Sequence, residues 1–126
     1  MSKFKLDFLH ICDQVIVDQD KKISIIGIFN KIKAFGFPAI HPKFSIFTKI
    51  SGAIGAYKQR IEIISTENNT PMASVIGDFE IKNSEGSIFI GNFINMLFPV
   101  EGKYKIKIYI DDTIVNEGNY IIIRND

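Results

Sequence analysis

The sequence predicts an all-β chain folded as an antiparallel two-layer β-sandwich, immunoglobulin-like, with about eight strands. Isoleucine supplies 26 of the 126 residues against 3 Leu and 5 Ala, and Val and Thr raise the β-branched total to 35. Stiff β-branched side chains suit a pleated sheet, while the good helix formers are nearly absent. Apolar and polar residues also alternate with period two in several segments, and turn residues separate these at short intervals. A small closed barrel is the second arrangement that fits. AT-rich coding also favours Ile, Lys, Asn and Phe together, so the weight rests on periodicity.

Phe4 to Val17 reads as the first strand and Asp18 to Lys22 as the turn after it. Ile23 to about Phe35 follows as a second strand, Gly36 to Lys43 as a long loop, and Phe44 to Ile50 as a third strand. In Tyr57 to Ser65, Tyr57, Ile61 and Ile63 share one face, and Lys58, Arg60 and Glu62 share the other. The turn Glu67-Asn68-Asn69-Thr70-Pro71 leads into Ala73 to Lys82, so these two strands should form a hairpin. Asn83-Ser84-Glu85-Gly86 offers a turn with Gly available for a positive φ, and Ser87 to about Phe98 follows. Tyr104 to Ile110 is the clearest strand, with Ile106, Ile108 and Ile110 alternating with Lys105, Lys107 and Tyr109. Asp111-Asp112 gives the spacing of a tight hairpin to Thr113-Ile114-Val115. After Asn116 to Asn119, a last strand runs from Tyr120 to Arg124.

No repeat, low-complexity tract or linker divides the chain, so residues 1–126 are expected to form a single domain. The net charge of +1 offers no bulk attraction to phosphate backbones or anionic lipid, which makes nucleic-acid binding and membrane contact poor expectations. Asp7, His10 and Asp13 interrupt any apolar run of signal-peptide length, and the single Cys12 cannot form an internal disulfide. The expected location is a reducing cytoplasm.

Cys12-Asp13, Asp18 to Lys22 leading into Ile23-Ser24-Ile25-Ile26-Gly27-Ile28-Phe29, Phe37-Pro38 and Gly102-Lys103-Tyr104 together resemble an uncharacterised family. Its members are small bacterial and phage-borne β-sandwich proteins of about this length with no assigned function. The resemblance implies the fold and supplies no catalytic residues. Separately, Val100-Glu101-Gly102-Lys103-Tyr104 resembles the terminal hairpin of immunoglobulin-like modules.

His10 and Cys12 lie two apart and project to one face of a strand, the minimum for an activated thiol. The plainer reading places both on the inner face, continuing the parity of Leu6 and Phe8. His10, Cys12 and His41 are the nearest approach to a metal set, too few and too scattered to predict a metal or another cofactor. Asp18-Gln19-Asp20 opens like a calcium loop, but Lys21 and Lys22 stand where further ligands belong. Lys103, Lys105 and Lys107 form a basic stripe better read as a solubilising face than as a nucleic-acid track. No catalytic residue is predicted.

The most informative feature is apolar surplus. In Ser87 to Phe98, the even positions carry Ile88, Ile90, Ile94, Met96 and Phe98, and the odd positions carry Phe89, Phe93 and Leu97. Only one face of a sandwich strand looks inward, so the odd face needs cover from the Gly36 to Lys43 loop, from another subunit or from a partner. Phe89, Phe93 and Leu97 are therefore the expected interface. Phe35, Phe37 and His41, in the segment fixed by Pro38 and Pro42, are the expected partner-binding loop. The expected function is a non-enzymatic module that binds a protein partner or itself as an oligomer. The alternatives are a carbohydrate or other small-ligand module, which the absence of Trp disfavours, and a phage-related structural or accessory protein.

Overall fold

A computed structural model describes residues 4–125. Nine strands run in the order β1 (Phe4–Val17), β2 (Ile23–Ile28), β3 (Lys31–Ala34), β4 (Ala39–Gly52), β5 (Gly55–Ser65), β6 (Pro71–Ile81), β7 (Ser87–Phe98), β8 (Gly102–Ile110) and β9 (Thr113–Asn125). They form a four-stranded sheet of order β2-β1-β4-β7 and a five-stranded sheet of order β3-β9-β8-β5-β6. The all-β, two-sheet expectation holds, and the five-stranded sheet curls into a half-barrel. Among the described residues no helix is long and apolar enough to cross a membrane.

Three details differ from the sequence expectation. The segment from Ile23 to Phe35 is two strands, because the chain leaves β1 after Phe29 donates its amide to Ile11 and then joins the other sheet. There β3 pairs with β9 in parallel, so the fold is not wholly antiparallel. Most of the expected Gly36 to Lys43 loop belongs to β4, which pairs with β7 from Ala39 onward. The loop is reduced to Phe35 to Pro38. At the C-terminal end the two expected short strands are one, β9, carrying a bulge opposite Ile106–Ile108.

The core lies between the sheets. Isoleucine supplies 12 of its 19 fully packed residues, among them Ile61, Ile63, Ile106, Ile108 and Ile110, at the positions that the alternation of β5 and β8 assigns inward. The other face of the same strands is polar: Lys105 pairs with Glu117 at 3.2 Å, Arg60 lies 4.0 Å over the Tyr109 ring, and Lys58 pairs with Asp78. The Asn83–Gly86 turn forms as expected, with Gly86 at φ 86°, where an added Cβ would stand 2.8 Å from the Ile50 carbonyl oxygen.

Tyr104 is buried, packs edge-on against Phe98 at 5.0 Å and donates its hydroxyl to the Val100 carbonyl at 2.6 Å. Burial raises its pKa, so the phenol stays neutral through the physiological range. Tyr104→Phe keeps the ring and loses the bond. Its expected cost is about 1 kcal/mol, read as a lower urea midpoint at unchanged slope.

Candidate functional site: the outer face of the four-stranded sheet

The outer face of β2-β1-β4-β7 is built from the register upward. In β4, Phe44, Ile46 and Ile50 enter the core, so Lys43, Ser45, Phe47 and Lys49 point outward. Their partners on β7 are Ile94, Asn92, Ile90 and Ile88. On β1 a bulge between Leu6 and Phe8 shifts the parity: Leu6, Leu9 and Ile11 face in, and Phe8, His10 and Cys12 face out beside Lys49, Phe47 and Ser45. Ile26 and Ile28 of β2 continue this face next to Gln14 and Cys12, with Ile16 beside Ser24. Phe8 is stacked between His10 at 5.2 Å and Phe47 at 5.3 Å. Ser45 donates to Asn92 Oδ1 at 2.6 Å near the centre.

The expected interface residues divide. Phe93 is only 4% exposed and stacks on Phe44 with ring centroids 5.0 Å apart, and Phe89 is half-buried against Phe79. These two belong to the inner face, correcting their assignment to an exposed surface. Leu97 alone of the three is exposed, at 46%. The cause is Asn95, whose φ of 51° breaks the alternation: Ile94 points out, whereas Met96 and Phe98 return to the core. The large exposed side chains of β7 are thus Ile88, Ile94 and Leu97, joined across the strand pair by Ile40. The neighbouring β4 segment lies beside this face in the same sheet and does not cover it.

The expected partner-binding loop also divides. Phe35 is 90% exposed, but Phe37 packs against the core and His41 turns inward between Phe29 and Phe44, 6.1 and 5.7 Å away. Phe35 and Ile40 line one hollow at this end of the molecule, which places Phe35 close to the apolar face.

Cys12 and His10 share a face as expected, although it is the outer one. The Cys12 thiol is fully buried and directed at the Ser45 carbonyl, 3.7 Å away. Burial raises its pKa, with the nearby Asp13 charge adding to the effect, and a thiol kept protonated is a poor nucleophile. His41 lies on the opposite side of the sheet, so His10, Cys12 and His41 do not converge. Among the described residues, no group of three or more His, Cys, Asp or Glu could hold a metal ion.

The raised thiol pKa gives a pH prediction with a definite sign. The folded chain holds this proton more tightly than the unfolded chain does, so its stabilising contribution is complete below the ordinary thiol range and is lost as pH rises through the folded value. Urea midpoints should therefore fall on the alkaline side, and Cys12→Ala should flatten that part of the fall. An unchanged slope in Cys12→Ala would contradict the assignment.

Seven large exposed apolar residues thus share one sheet face: Ile16, Ile26, Ile28, Ile40, Ile88, Ile94 and Leu97. The signal was present in the sequence as apolar neighbours at both parities, Ile25-Ile26, Phe8-Leu9, Ile46-Phe47 and Phe93-Ile94. In comparisons with known proteins, one family model, described as "Family of unknown function (DUF6941)", matches residues 7–122. No curated protein matches.

Proposed function

The chain belongs to DUF6941, a family of unknown function, and from that premise we propose that it is a non-enzymatic binding module whose contact surface is the outer face of β2-β1-β4-β7. One observation carries the reading: seven large exposed apolar side chains lie on the outer face of one sheet, flanking a polar centre of Gln14, Lys43, Ser45 and Asn92, while the outer face of the other carries ion pairs and a cation–π contact. Water tolerates isolated apolar side chains, whereas seven of them gathered on one sheet face favour a protein covering.

Leu97 and Phe35 extend the surface at one end. The buried, protonated Cys12 supports the non-enzymatic part of the reading. The Tyr104 hydroxyl bonded back to Val100 supports an immunoglobulin-like relation of the sandwich, since such domains use a tyrosine in this way. A cytoplasmic setting in a bacterial cell, or in one carrying a phage, fits the single thiol and the family resemblance.

The test is affinity capture from the native host's lysate with the tagged wild type and with Ile28→Asp/Ile94→Asp. A protein recovered in stoichiometric amount with wild type, or untagged copies of this chain, and lost with the variant is the expected result. Recovery that is equal with both, or absent with both, would overturn the proposed surface.

A further inference from the structure

We infer that the occupant of this face is a second copy of the same chain, stacked face to face about a two-fold axis. The inference rests on the proposed contact surface and adds the identity of the partner. Composition points to it first. Transient interfaces draw on Trp, Tyr and Arg as anchors, whereas obligate homodimer interfaces resemble a domain core cut in half. β1, β2, β4 and β7 contain none of those three residue types; all four Tyr and Arg60 and Arg124 lie in the other sheet. The exposed apolar side chains of the outer face are six isoleucines and Leu97, and isoleucine is also the commonest residue of this chain's own core.

Area points the same way. Four strands about 4.8 Å apart and about ten residues long present a flat footprint of roughly 600 Å², before side-chain relief is added. That is close to the roughly 800 Å² each partner contributes to a stable interface. The chain exposes 7595 Å², above the roughly 6,800 Å² expected of a monomer of its mass. Stacked sheets pack about 10 Å apart, a spacing that Ile and Leu side chains fill by interdigitation. Lys43 and Lys49 have long apolar stems that can lie along the face and carry their ammonium groups to its rim.

Sedimentation equilibrium of the purified full chain at micromolar concentration tests this. Wild type should sediment at twice the chain mass of 14.3 kDa, and Ile94→Asp at the single-chain mass with its β-sheet circular dichroism intact. The substitution should weaken association at least 100-fold. A wild type that remains monomeric across the range, or an Ile94→Asp chain that still dimerises, overturns the inference. If wild type is monomeric but captures another protein through Ile28 and Ile94, the partner identity fails and the contact surface stands. If it is monomeric and captures nothing, both fail.

Discussion

Phe93→Ala is expected to lower the unfolding free energy by about 3–5 kcal/mol, the cost of truncating a core aromatic and leaving a cavity. Phe93 lies parallel to Phe44, with 9° between the rings, and is shielded from water. Its neighbours are held by two strands paired across eleven register positions, which leaves little freedom to collapse into the gap. Denaturation in urea should show a lower midpoint at unchanged slope. Leu97→Ala, on the exposed side of the same strand, should cost less than about 1 kcal/mol. The reverse ranking would mean that Phe93 faces water and Leu97 faces the core.

Ile94→Asp and Ile76→Asp are expected to differ sharply in association, with the β-sheet circular dichroism of both chains intact. The two isoleucines are 69% and 65% exposed, and each stands directly opposite a cation, Lys43 for Ile94 and Arg60 for Ile76. The introduced carboxylate therefore meets the same local chemistry at both positions. Only the sheet face differs. Ile76 is set in the polar outer surface of the five-stranded sheet, so its replacement should leave association unchanged. Ile94 lies on the same face as Ile40 and Leu97, one or two register positions away, where a carboxylate would have to be desolvated on docking at a cost of several kcal/mol. Equal loss of association from both variants would reduce the effect to net charge and contradict the assignment to one face.

Much of this fold was legible from periodicity because β8 alternates strictly from Tyr104 to Ile110 and β5 does so as far as Ile63. Their inward isoleucines and outward charges fall where the sequence places them, and Asp111-Asp112 closes the hairpin between β8 and β9 as the spacing predicts, while Gly86 takes the expected positive φ in a turn that crosses from β6 in one sheet to β7 in the other. The apolar surplus of Ser87 to Phe98 was legible too, but its direction was not. Counting parity through Asn95 exchanges the two faces, since a single residue at positive φ resets the alternation and Asn tolerates that conformation without announcing it. The bulge between Leu6 and Phe8 had the same effect on His10 and Cys12, turning them from the expected inner face to the outer one. The split of Ile23 to Phe35 into two strands in different sheets depends on pairing with β9, nearly a hundred residues away. Such a partner leaves no mark on local pattern.

The most direct test of the central claim is the labelling of thiols introduced by Ile94→Cys and, separately, by Ile76→Cys in the native host's lysate, with the buried Cys12 as internal blank. Alkylation should be many-fold slower at position 94 than at position 76, and the two rates should converge when purified protein is diluted below the concentration at which it dimerises. Rapid and equal labelling of both positions in the lysate would mean that the outer face of the four-stranded sheet lies open to water, which contradicts a covered contact surface.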